Sequence, residues 1–100
     1  MEKEIIWSKT AQNQLEKIYF YLSIESKSKT IPNKIIETIY DSVTILSTNC
    51  EIYELDELKI LNNGNYRAFE VYNYRISYKI TSKTIHILRI RHTSRNPKIL

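Results

Sequence analysis

Apolar residues recur along this chain with two different periods, and the change of period splits it into a helical first half and a strand-rich second half. Glu4-Ile5-Ile6-Trp7 is a short apolar run rich in β-formers and reads as a first strand. Ser8 then supplies a hydroxyl that can cap the exposed amides of a following helix. Ala11, Leu15, Ile18, Tyr19 and Leu22 follow at helical spacing and form one apolar face. The polar stretch Ser26-Lys27-Ser28-Lys29 reads as a loop. A second helix is predicted from near Thr30, with Pro32 in its first turn, where a missing amide hydrogen costs nothing. Its apolar face is Ile35, Ile39, Val43 and Leu46, and it should end by Thr48-Asn49, since Asn tolerates a left-handed cap. Two amphipathic helices with a short polar link predict an antiparallel hairpin.

Beyond a loop at Cys50–Glu54 the period becomes two. Glu57–Leu61 is a short strand candidate. Asn62-Asn63-Gly64-Asn65 is the strongest turn signal in the chain, because Asn and Gly accept positive φ. Tyr66–Tyr72 reads as a strand with Asn73 at the next tight turn. In Tyr74–Ile80, Tyr74, Ile76, Tyr78 and Ile80 alternate with Arg75, Ser77 and Lys79. Thr81-Ser82-Lys83 turns the chain into a last strand, Thr84–Arg91. The predicted order is β-α-α-β-β-β. That is an α+β fold, with the helical hairpin packed on one face of a small, mainly antiparallel sheet.

With 100 residues, 42% of them hydrophobic, one Gly and two Pro, the chain is expected to form one folded domain over residues 1–100. A domain of this size buries only about two-thirds of its unfolded surface, so a partner can matter to its stability. Cys50 is the only cysteine, which excludes an internal disulfide and argues against a thiolate zinc site. Membrane spans need about 20 apolar residues in a row, and no run comes near that. The start, Met1-Glu2-Lys3-Glu4, lacks the basic opening and apolar core of a secretory signal, so a cytoplasmic location is expected.

Charge changes the picture more than composition does. Residues 1–58 hold six Lys/Arg against ten Asp/Glu, whereas residues 59–100 hold nine against one, Glu70. The basic part is therefore a candidate surface for phosphates or for an acidic protein. Arg67, Arg75, Lys79, Arg89 and Arg91 fall on neighbouring strands, and arginine matches phosphate bidentately and stabilises charge developing on phosphorus. Tyr66, Tyr72, Tyr74 and Tyr78 interleave with them and are either base-stacking or packing residues. His86 reads as a packing residue in mid-strand. His92 follows the last strand beside Arg89, Arg91 and Arg95, where a neutral imidazole would suit a general base. Phosphate loops, metal motifs and nucleophile elbows are missing, and no cofactor or metal is expected.

Three segments carry a resemblance. Ile6-Trp7-Ser8-Lys9-Thr10-Ala11, with Leu15 and Ile18, looks like the opening of RelE/ParE toxins of bacterial type II toxin–antitoxin systems. Asn63-Gly64-Asn65-Tyr66-Arg67, followed by Tyr74-Arg75-Ile76-Ser77-Tyr78, resembles their central hairpin. Ile87-Leu88-Arg89-Ile90-Arg91-His92-Thr93-Ser94-Arg95-Asn96-Pro97 resembles their last strand and tail. The three matches come in the family's order and span nearly the whole chain.

The resemblance implies a growth-arresting toxin silenced by a cognate antitoxin, with DNA gyrase as target in ParE-like members and ribosome-bound mRNA in RelE-like ones. For a RelE-like, metal-independent endoribonuclease it implies Arg67, Arg75 and His92 as catalytic candidates. Lys79, Arg89, Arg91 and Arg95 are target-binding candidates, and Phe20 and Tyr40, off the main helical faces, are antitoxin-binding candidates. The nuclease set is incomplete. Phe69 stands at the second basic position of the Arg67 strand, the late Arg or His positions fall near Thr93 and Ser94, and no tyrosine follows Tyr78. His92-x-x-Arg95 looks more like the tail of ParE-type members, so a gyrase inhibitor is favoured over the nuclease. A non-toxic binding module with a basic sheet is the third alternative.

Overall fold

The computed structural model describes residues 2–27, 30–56 and 63–93. Its elements are β1 (Glu4–Trp7), α1 (Lys9–Ser26), α2 (Thr30–Thr44), a 3-10 turn (Ile45–Ser47), β2 (Tyr66–Val71), β3 (Tyr74–Ile80) and β4 (Thr84–His92). The sheet order is β1-β4-β3-β2, parallel between β1 and β4 and antiparallel elsewhere. This is the β-α-α-β-β-β arrangement expected from the pattern of apolar residues. The strand candidate Glu57–Leu61 lies outside the described residues.

Local chemistry sets the element ends. The Ser8 hydroxyl accepts the Ala11 amide at 3.0 Å and donates to the Leu88 carbonyl at 2.9 Å, so one side chain caps α1 and ties it to β4. α1 runs one residue into the predicted loop and stops where Lys27 turns left-handed at φ 51°. α2 gives way to the 3-10 turn earlier than Thr48, with Pro32 buried near its start. β2 stops at Val71 rather than Tyr72: Tyr72 and Asn73, at φ 50° and 67°, form a two-residue turn of the kind that matches strand twist. β4 runs one residue longer than expected and takes in His92.

The core lies between the helices and one sheet face. Ala11, Leu15, Ile39, Val43 and Leu46 meet Phe69, Tyr74, Ile76, Tyr78, Ile85, Ile87 and Ile90. β1 ends opposite Ile87, which leaves the upper half of β4 without a strand on that side. α1 fills the gap, where Gln14 Oε1 accepts the Ile90 amide at 2.6 Å.

Candidate functional site

Strand alternation sorts the basic residues by face. Residues paired directly across a sheet share a side, so Arg75, Ser77 and Lys79 of β3 lie with Arg91, Arg89 and His86 of β4 on the face turned away from the helices. A register shift between Ser77 and Tyr78 makes Leu88 an extra residue in β4. That bulge flips the phase of the strand: Ile85 and Ile87 face the core before it, and Ile90 after it. Arg89 and Arg91 therefore join the basic face. Without the bulge, Arg89 would point into the core.

Arg75 is held on this face by Asp56. Its Nη2 donates to Asp56 Oδ1 at 2.7 Å, and Asp56 is only 5% exposed. Asp56 comes from an extended segment that lies along β2, with Leu55 bridging Arg67, the Asp56 amide donating to the Tyr66 carbonyl at 2.9 Å and the Ala68 amide donating to the Glu54 carbonyl at 3.3 Å. Lys79 sits over the Tyr66 ring, 5.5 Å from its centre. Arg95 and Ser94 lie outside the described residues.

Arg67 and His92 are on the opposite face. Arg67 pairs with Tyr78 and shares the core side with Phe69 and Val71. Its Nη1 donates to the Tyr53 carbonyl at 2.7 Å, and the Tyr53 ring stacks on Phe69 with centres 4.2 Å apart. His92 pairs with Tyr74 and meets its ring edge-on at 5.2 Å. Their positions, four residues apart along β3 and two strands apart, put Arg67 and His92 roughly 16 Å from each other. The candidate nuclease residues Arg67, Arg75 and His92 thus do not converge. Tyr74 and Tyr78 are buried and unavailable for base stacking. Burial pushes the Tyr78 hydroxyl above its ordinary ionisation range, against the pull of the nearby Arg67 guanidinium. His86 bonds the Thr84 hydroxyl at 2.9 Å within β4.

The helices present a second surface. Phe20 and Tyr40 line a shallow groove with Leu15, Glu16, Tyr19 and Ile36. Phe20 is 66% exposed and Ile24, one turn on, is 76% exposed, whereas Tyr40 also leans on Trp7 with ring centres 5.0 Å apart. Among the described residues, no three His, Cys, Asp or Glu side chains are grouped to hold a metal, and no helix is long and apolar enough to cross a membrane.

A family model described as "ParE toxin of type II toxin-antitoxin system, parDE" matches residues 5–97. The chain belongs to the ParE toxin family. Similar solved structures show the same fold. A chain of the chromosomal ParDE system of P. aeruginosa is 20% identical, with a TM-score of 0.74 over 91% of this chain and 96% of that one. A chain of the RelBE2 toxin–antitoxin complex of Mycobacterium tuberculosis is 17% identical, with a TM-score of 0.64 and 95% of each chain covered. One from the E. coli DinJ–YafQ complex is 14% identical, with a TM-score of 0.57 over 94% and 96% of the two chains. No curated protein matches the sequence. Membership of the RelE/ParE superfamily, reached from three sequence segments, is thus shown, and the toxin's hairpin-on-sheet architecture is the family's.

The residue that sequence reasoning missed is Asp56. It belongs to an acid-rich stretch of sequence, Glu51 to Glu57, that precedes the basic strands, and that abrupt change of sign was the available signal.

Proposed function

We propose that this ParE-family toxin arrests growth by inhibiting a protein target, DNA gyrase, and that a cognate antitoxin neutralises it. The observation that carries the choice of target is the separation of Arg67 and His92 from Arg75 by the thickness of the sheet. Cleaving RNA through its 2′-hydroxyl needs a base and phosphate-stabilising cations around one phosphorus atom, within hydrogen-bond reach of the same group. Here Arg75 is bonded to Asp56 on one face, and Arg67 is bonded to the Tyr53 carbonyl on the other. The ParE family match supports the same reading. Antitoxin binding is supported by the Phe20–Ile24 stretch of α1, whose apolar side chains stand exposed beside the Tyr40 groove.

Purified toxin added to gyrase in a supercoiling assay is expected to block supercoiling, and the same preparation in a translating extract should leave mRNA uncut. Codon-specific cleavage that disappears in Arg75→Ala would overturn the proposal in favour of an mRNA nuclease.

A further inference from the structure

The helix-free face concentrates positive charge in a way the fold itself must manage. The register sets Arg75 directly opposite Arg91 and Ser77 opposite Arg89, so two guanidinium side chains leave the sheet side by side and a third leaves two residues away. Like charges placed opposite each other across strands are destabilising. Glu70 pairs with Arg75 from the other side in the register, yet the ion pair goes to Asp56, which reaches across β2 from the sheet's edge. Among the described residues this is the single ion pair, and Lys79, Arg89 and Arg91 have no carboxylate at salt-bridge distance. The segment Glu54–Asp56 is thus an extended stretch bridged to the sheet edge at Leu55, with one carboxylate laid on the basic face.

We propose that the Glu54–Asp56 segment shows, within the chain, how this face takes its partner: an acidic, extended protein segment docks on Lys79, Arg89 and Arg91, while Asp56 withholds Arg75 from it. The proposal rests on reading the chain as a toxin whose partners are proteins. Charge complementarity supports it, because three cations without carboxylate partners share a face with a fourth that already holds one. A phosphodiester strand fits less well. Its bases would need a row of exposed rings to stack on, but Tyr74 and Tyr78 are buried, Lys79 lies over Tyr66, and Tyr72, at the end of the hairpin, is the one of the four tyrosines left exposed. Asp56 is a positioning residue in this scheme. It draws Arg75 away from Arg91 and fixes which cations a partner meets.

The test uses the full chain and two labelled probes of similar charge, an octaglutamate peptide and an octauridylate, with binding read by fluorescence anisotropy across a salt series. The peptide is expected to bind more tightly than the uridylate. Arg89→Ala and Arg91→Ala should each weaken it about fivefold, the worth of one exposed charge contact, while Arg75→Ala changes it less than about twofold. Asp56→Asn should tighten the peptide by freeing Arg75, and the gain should vanish in Asp56→Asn/Arg75→Ala. Absence of peptide binding, tighter uridylate binding, or an Arg75→Ala loss as large as that of Arg91→Ala overturns the proposal. If the Arg75 or Asp56 variants fail a urea-unfolding control, the probe preference and the Arg89 and Arg91 variants still decide. Gyrase inhibition with no peptide binding would sink this inference alone; peptide binding without growth arrest would sink the functional reading alone.

Discussion

Replacing Tyr78 by Phe removes one oxygen from a fully buried side chain of the sheet and leaves the ring in place. The lost hydroxyl donates to the Cys50 carbonyl at 2.8 Å and pins the loop after the helices to β3. A buried acceptor left without its donor costs about 1–3 kcal/mol, and because Cys50 is only half-buried the lower part of that range applies, about 1.5 kcal/mol at pH 8. The pH dependence gives a second, independent number. Burial raises the ionisation of Tyr78 in the folded protein above its ordinary value of 10.0. A raised folded-state value means stability that is complete below pH 10 and lost as the pH climbs toward the folded-state value, since the unfolded chain releases its proton first. At pH 11 the wild type has lost about 1.4 kcal/mol through this residue, and Tyr78→Phe, with no proton to release, has lost none of it. The gap between the two proteins should therefore shrink from about 1.5 kcal/mol at pH 8 to near zero at pH 11. Urea unfolding followed by far-UV circular dichroism at pH 8, 9, 10 and 11 measures it. A gap that stays constant with pH would refute the burial argument, and no gap at pH 8 would refute the hydrogen bond's contribution.

Two further outcomes follow from the helices. Ser8→Ala loses both the cap on α1 and the link to Leu88 and should cost about 1.5 kcal/mol, roughly 6–12 °C in Tm by thermal circular dichroism; an unchanged Tm would show that water replaces both bonds. Phe20→Ala should leave Tm unaltered, because the ring is 66% exposed, yet weaken antitoxin capture about 30-fold by calorimetry if it is an anchor of that interface. Unchanged affinity would move the antitoxin off this groove.

The elements were legible because their signals are local. Ser8 before the Ala11–Leu22 face, Pro32 in the first turn of α2 and the strict alternation of Tyr74–Ile80 each point to one element, and each element formed. Their ends were less so. Ser26 looked like a loop residue, yet its hydroxyl bonds back to the Leu22 carbonyl at 2.6 Å and the helix carries it along. Apolar period could not find Asp56, because its importance depends on the segment lying against β2, a contact between residues 10 to 14 positions apart that no periodicity reports.

The sequence left the register of the site residues open, and what closes it can be traced to one residue. With β2 carried through Tyr72 and the turn assigned to Asn73 alone, the pairing of β2 with β3 is undefined, and Arg67 and Arg75 can be pictured on one surface. A two-residue turn at Tyr72-Asn73 removes that freedom. Val71 must then pair with Tyr74, Phe69 with Ile76 and Arg67 with Tyr78, while Arg75 pairs with Glu70. Partners share a face and neighbours alternate, so Arg67 has to join the core side with Phe69 and Arg75 has to join the other. The same logic covers β4, where the apolar spacing Ile85, Ile87, Ile90 already encodes the bulge at Leu88 that sends Arg89 and Arg91 to the basic face and His92 to Tyr74. The three candidate catalytic residues were thus divided by a turn one residue longer than assumed and by a bulge visible as a broken alternation. It is this division, rather than the amount of positive charge, on which the proposal of a protein target over phosphoryl chemistry rests.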